Sequence, residues 1–127
     1  MKLTPLHSVD MQNVEIKDGL LGRIQDFIVN ETIPYQYSIL NDEAEGVPKS
    51  NAIVNFRIAS GEQKGEFYGM IFQDSDVAKW IEAASYSLLL KPDPELEKTL
   101  DELIDLIGRA QEPDGYLNTY FSISQPD

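Results

Sequence analysis

The sequence predicts a mainly α-helical protein whose helices pair as hairpins after a short extended lead-in. Two long segments repeat apolar residues in steps of three and four, which gives each predicted helix one apolar stripe. A short break at residues 91–94 separates the two segments, so each helix can cover the apolar face of the other in an αα-hairpin. The length of 127 residues suits one domain with a modest core.

The N-terminal part, residues 1–17, has short β-prone pieces without a helical period and is predicted to be extended. Asp18 is predicted to cap the first helix, because its carboxylate can accept hydrogen bonds from free amides of the first turn. Pro34 lacks a backbone donor, so this helix should kink or end there. The helix is predicted from apolar residues at helical spacing, namely Leu20, Leu21, Ile24, Phe27 and Ile28.

The middle of the chain alternates loops with one short element. Residues 41–50 contain glycine, proline and charged residues, which predicts a loop. A short helix is predicted to follow and to end before Gly61, although its apolar spacing is imperfect and a strand is the alternative. Residues 61–73 then form a long polar and aromatic connection with three glycines.

The hairpin is the clearest predicted feature. Asp74 is predicted to cap its first helix and Asp93 its second, with Pro94 suited to the first helical position. The first stripe comprises Val77, Trp80, Ile81, Ala84 and Leu88, and the second comprises Leu96, Leu100, Leu103, Ile104 and Ile107. Pro113, Asp114 and Gly115 then indicate a turn, and the tail from Leu117 onward shows no further helical stripe.

The composition excludes several classes of function. The net charge is −12, which repels phosphate backbones and anionic membrane surfaces, so neither nucleic acid nor a membrane is an expected partner. The chain has no cysteine, so its own residues can form no disulfide, zinc-thiolate site or thiol nucleophile. The N-terminus lacks the apolar core of a secretory signal, and no apolar run approaches the length of a membrane span, so a cytoplasmic location is expected.

Few residues are candidates for chemistry. Asp74 and Asp76 lie where a helix dipole favours negative charge, so helix capping is the preferred explanation over a direct role in a site. Asp114 and Tyr116 either belong to a simple turn or border a pocket, where they would offer a sugar a carboxylate and an aromatic face. His7 is the single histidine, which disfavours a metal site or a catalytic triad.

Six short motifs, in the same order and at similar spacing, resemble the opening part of the catalytic domain of glycoside hydrolase family 127, the β-L-arabinofuranosidases. They are Ile33-Pro34-Tyr35-Gln36, Asn41-Asp42-Glu43, the run from Gly69 to Val77, Lys79-Trp80, the run from Pro92 to Leu96, and the run from Asp114 to Leu117. An asparagine-containing helix, Asn55 to Gly61, lies between the second and third motifs, as it does in the family. The resemblance covers nearly the whole chain.

The resemblance implies an (α/α)6 barrel with appended β-domains, of which residues 1–127 would form the N-terminal portion. It further implies removal of β-L-arabinofuranose with retention of configuration, by a zinc-bound cysteine nucleophile and a glutamate acid/base. These groups are expected downstream of this segment, so no catalytic residue and no metal ligand is assigned here, and zinc is expected only in a full-length parent. The residues expected to border the sugar are Gln73, Asp74, Asp76, Asp114 and Tyr116.

Two hypotheses follow. In the first, the chain is the front part of an arabinofuranosidase that is inactive alone and that self-associates through helix faces lacking their neighbours. In the second, it is a free-standing acidic helical module that binds protein or carbohydrate without catalysis.

Overall fold

The computed structural model describes residues 7–125 and consists of helices and loops, with no strand in that range. A single 3-10 turn at Met11–Asn13 precedes the first α-helix, and a π-helical segment, Ile28–Thr32, lies between the first two α-helices. The α-helices are α1 (Gly19–Phe27), α2 (Ile33–Leu40), α3 (Ala52–Ala59), α4 (Asp74–Leu90), α5 (Pro94–Ala110) and α6 (Thr119–Ser124).

The described part of the lead-in is irregular apart from the 3-10 turn, and residues 1–6 of the predicted lead-in lie outside the described range. Asp18 caps α1 as predicted, since one carboxylate oxygen accepts from the amides of Leu20 at 3.0 Å and Leu21 at 2.8 Å. Helix α1 therefore starts where the sequence places it.

Pro34 does not end the first helix. The chain remains helical from α1 through the π segment into α2, and the Ile33 amide donates to the Ile28 carbonyl five residues earlier. A π turn is wider than an α turn, so the chain can carry a proline ring without breaking. The predicted interruption is thus present as a change of helix type just before the proline.

The short element before Gly61 is a helix, α3, as predicted, and not the strand that was the alternative. Before it, the carboxylate of Asp42 accepts from the amides of Ser50 at 2.6 Å and Asn51 at 3.0 Å, which fixes the end of the preceding loop. Arg57 of α3 donates to the side-chain oxygen of Asn41 at 2.9 Å. These bonds clamp both ends of loop 41–50 against α3.

The predicted hairpin of α4 and α5 is present. Asp93 caps α5 by accepting from the amides of Glu95 and Leu96, and Pro94 is the first residue of that helix. Ile104 was predicted to lie in the α5 stripe, but it is 51% exposed, and Leu106 and Ala110 are buried instead. The buried core comprises Ile33, Leu40, Ala52, Ile53, Phe56, Val77, Trp80, Ala84, Leu100, Leu103, Leu106 and Ala110.

Trp80 connects α4 to the N-terminal helices. Its buried indole nitrogen donates to the Ile33 carbonyl at 2.9 Å, and its ring lies 5.0 Å from that of Tyr37, measured between centroids. Burial raises the pKa of the Tyr37 hydroxyl above its ordinary value, and the Glu43 carboxylate adds to the rise. The single tryptophan thus lies where α2 meets α4.

An apolar face remains uncovered on α1. All five apolar residues that predicted this helix are exposed, and Ile16 of the lead-in and Tyr86 and Leu90 of α4 continue the same surface. All of them except Leu20 and Phe27 border a cavity of about 310 Å³ between α1 and α4. We call this surface the α1 face. Within residues 7–125, no helix is both long enough and apolar enough to cross a bilayer.

Candidate functional site

Asp74 does not cap α4, contrary to the prediction. It is the first residue of the helix, and no side chain caps that end. Its carboxylate accepts instead from the Thr119 amide at 2.7 Å and the Thr119 hydroxyl at 2.6 Å. Thr119, only 1% exposed, is the first residue of α6, so Asp74 joins the starts of two helices.

Helix α6 lies in the tail, where the sequence shows no further helical stripe and no helix was predicted. Its six residues are too few to show an apolar stripe, which is the signal the sequence analysis required. Asn118 caps it by accepting from the Phe121 amide at 3.3 Å, and the ring of Tyr120 packs edge-on against that of Phe67 at 5.2 Å. An asparagine before an aromatic run was the available sequence signal.

Gln73 fixes the connection before α4. Its amide nitrogen donates to the Ser50 carbonyl, and its amide oxygen accepts from the Met70 amide at 3.1 Å. Gly69 lies against this amide with φ at +111°, and a Cβ there would overlap the Gln73 oxygen. The loop therefore requires glycine at position 69.

Asn55 fixes the same connection from α3. It is 1% exposed, its amide nitrogen donates to the Tyr68 carbonyl at 2.8 Å, and its oxygen accepts from the Tyr68 amide at 3.3 Å. No role was predicted for this residue from the sequence. A polar residue inside an apolar helical segment was the signal, because buried amides need partners.

Asp76 projects from the first turn of α4 and is exposed. One of its oxygens lies 3.2 Å from the Lys79 ammonium. It shares with Gln73 an open cavity of about 500 Å³, which we call the α4 cavity. The residues around it are Lys49, Ser50, Tyr68, Gly69, Met70, Phe72, Gln73 and Asp76.

Asp114 and Tyr116 lie in the predicted turn. The Gly115 amide donates to the Glu112 carbonyl at 2.9 Å, and the Asp114 carboxylate accepts from the Tyr116 amide at 2.8 Å. Gly115 has φ at +94°, as the turn requires. Asp114 and Tyr116 border a second open cavity of about 660 Å³, next to α6. We call it the α6 cavity.

Four of the five predicted site residues thus fall into two groups. Gln73 and Asp76 border the α4 cavity, Asp114 and Tyr116 border the α6 cavity, and Asp74 borders neither. The segments that carry the groups are joined by the Asp74–Thr119 bonds and by a 3.4 Å bond from the side-chain amide of Asn118 to the Ile71 carbonyl. The structure therefore brings both segments to one end of the α4–α5 hairpin.

The described residues offer no donor set for a metal ion. Between residues 7 and 125, no three side chains of histidine, cysteine, aspartate or glutamate are grouped as ligands. Zinc bound by thiolates needs cysteine, which the chain lacks. A zinc-thiolate centre does not fit the residues present.

Comparison with known proteins gives concordant matches. The model of the catalytic domain of β-L-arabinofuranosidase, glycoside hydrolase family 127, matches residues 13–127. A non-reducing end β-L-arabinofuranosidase of Bifidobacterium longum subsp. longum is 46% identical over 123 residues, covering 87% of this chain. The chain spans 19% of the length of that relative.

Two solved structures share the fold. The crystal structure of a family 127 β-L-arabinofuranosidase from Geobacillus stearothermophilus T6 matches with a TM-score of 0.87 and 59% identity, over 90% of this chain and 18% of that one. A second family 127 β-arabinofuranosidase matches with a TM-score of 0.77 and 33% identity, over 88% of this chain and 17% of that one. The predicted fold class, helical hairpins of the first part of an (α/α)6 barrel, is confirmed. The chain belongs to glycoside hydrolase family 127.

Proposed function

We propose that this chain is the N-terminal portion of a catalytic domain that hydrolyses β-L-arabinofuranosides with retention of configuration, and that it is inactive alone. The observation that carries the proposal is the superposition on the Geobacillus enzyme, at 59% identity over 90% of this chain. That enzyme is a β-L-arabinofuranosidase, and at this identity the loops as well as the helices are expected to correspond.

The chain would contribute one rim of the sugar site. Asp76, Asp114 and Tyr116 are exposed at the two cavities and can meet a ligand directly. Gln73 and Asp74 already use their side chains to hold the loops, so their contribution to the rim is to position it. Carboxylates beside an aromatic face suit a carbohydrate, which offers hydroxyls and an apolar ring face.

The reacting groups would come from outside this chain. The family resemblance implies a cysteine nucleophile, a glutamate acid/base and zinc, and the chain contains no cysteine. The described residues also form no metal-ligand group. This is the reason for proposing that residues 1–127 position substrate and perform no bond cleavage.

A chimera tests this proposal. The 127-residue chain replaces the equivalent segment of the Geobacillus enzyme, and hydrolysis of an aryl β-L-arabinofuranoside is measured for the chimera and for the chain alone. We expect hydrolysis with retention by the chimera and none by the chain. Hydrolysis by the chain alone would refute its proposed inactivity, and a folded chimera without activity would refute the assignment of substrate.

A further inference from the structure

The loop of residues 65–73, which we call the contact loop, is fixed from several sides. Asn55 pairs with both backbone groups of Tyr68, and Gln73 binds the Met70 amide and the Ser50 carbonyl. A Cβ at Gly69 would overlap the side-chain amide of Gln73, and φ at this residue is +111°. Side chains that over-determine a loop in this way hold it in one conformation, at the cost of chain entropy.

The fixed backbone presents large apolar side chains to solvent. Tyr68 is 64% exposed and Phe72 is 66% exposed, although both belong to a loop whose backbone is held against the core helix α3. Burial of these two rings therefore contributes little to folding within the described residues. A rigid loop with exposed aromatic rings is a typical recognition surface, because little entropy is lost when a ligand binds.

The chemistry of the α4 cavity selects the class of ligand. Tyr68 and Phe72 line it together with two residues of opposite charge, Asp76 and Lys49. An apolar protein surface would remove these two charged groups from water, which is costly even though Lys79 pairs with Asp76. A sugar satisfies both kinds of group, since its ring face stacks on an aromatic side chain and its hydroxyls donate to a carboxylate.

We propose that the contact loop forms an arabinofuranoside subsite, in which Tyr68 and Phe72 contact the sugar ring and Asp76 accepts from a sugar hydroxyl. This rests on the proposed function and assigns residues to it. Gln73 and Asn55 are positioning residues, because their side-chain amides are already bonded within the chain. Tyr68 and Phe72 are absent from the residues that the sequence analysis placed at the sugar.

The test uses the chimera with the substitutions Tyr68→Ala, Phe72→Ala and Tyr68→Phe. If a ring–sugar contact is comparable to a pair of aromatic rings, about 0.5–1.5 kcal/mol beyond area burial, its loss corresponds to a rise in KM of roughly two- to tenfold for an aryl β-L-arabinofuranoside. We expect this rise for each alanine variant, with kcat within about twofold because the reacting groups are elsewhere. Tyr68→Phe keeps the ring and should keep the KM.

Tyr86→Ala is the matched control, since Tyr86 is an exposed aromatic residue of α4 that does not line the α4 cavity. An unchanged KM in Tyr68→Ala and Phe72→Ala, or an equal rise in Tyr86→Ala, would overturn the proposal. An inactive chimera would count against the proposed function instead. The subsite is then decided by calorimetric titration of the chimera with methyl β-L-arabinofuranoside: affinity that Tyr68→Ala weakens supports it, and absence of binding refutes it.

Discussion

Two carboxylates in the first turn of α4 have different surroundings. Asp74 is half-buried and accepts twice from Thr119, whereas Asp76 is exposed and pairs only with Lys79 among the residues described. Both lie close to the positive end of the helix dipole, so that effect does not distinguish them. Their contributions to stability should therefore differ mainly through the bonds to Thr119, because an exposed ion pair such as Asp76–Lys79 adds little.

We expect Asp74→Ala to lower the free energy of unfolding by about 1–3 kcal/mol, because the Thr119 amide and hydroxyl lose their acceptor in a buried position. Asp76→Ala is the control and should cost less than about 1 kcal/mol, as is usual for an exposed ion pair. Chemical denaturation measures both. Equal costs would show that the Asp74–Thr119 contact adds nothing beyond the helix dipole.

At the scale of elements, the sequence predicted the helices whose apolar spacing and capping residues are local signals. The Asp18 and Asp93 caps and the α4–α5 hairpin follow from local rules, and the structure has each of them. Helix α6 was missed because six residues give no stripe. The π segment before Pro34 was missed because a proline predicts only a kink or an end of a helix. The sequence does not show that the chain stays helical from α1 into α2 by changing its helix type.

The candidate site was harder to predict than the helices. Asp74 looked like a cap because its partner Thr119 lies 45 residues away, and a single sequence does not reveal such a contact. Asn55 and Tyr68 are likewise 13 residues apart and pair through one side-chain amide. The turn at Asp114 was predicted correctly from its residue types, since the hydrogen bonds of that turn are local.

Replacing a glycine by alanine should change the free energy of unfolding in opposite directions in helix α5 and in the contact loop. Gly108 lies inside α5 with open space where the alanine Cβ would be, so Gly108→Ala should raise the free energy of unfolding by about 0.5–1 kcal/mol. Gly69→Ala should lower it, because φ is +111° and the new Cβ would displace the Gln73 amide. Thermal unfolding followed by circular dichroism shows whether each variant is more or less stable than the wild-type chain. Stabilisation by Gly69→Ala would contradict the fixed contact loop.

At the scale of the whole molecule, the uncovered α1 face is the main feature. The chain spans less than a fifth of the length of the family structures it matches, and several apolar side chains of α1 are exposed. Large exposed apolar patches mark interaction sites. Self-association through this face therefore stays a prediction, as does the expectation that the acidic chain does not bind nucleic acid.

We expect the 127-residue chain to show a concentration-dependent mass above 14.3 kDa in sedimentation equilibrium. Replacing Ile24 and Phe27 with glutamine should shift the mass toward the monomer, because it removes apolar area from the α1 face without changing the net charge. Ile104→Gln, an equally exposed position on α5, is the control. A wild-type chain that is monomeric throughout the concentration range would contradict the prediction.

The bond between Trp80 and Ile33 gives the protein a built-in optical reporter. Because Trp80 is the one tryptophan in the sequence, all tryptophan fluorescence comes from a single buried indole that donates to the segment just before Pro34. Detachment of α2 from α4 would expose the indole to water and shift its emission to longer wavelength, even if every helix stayed intact. Emission wavelength and helical circular dichroism thus follow two distinct events, loss of docking and loss of helix, without any added label.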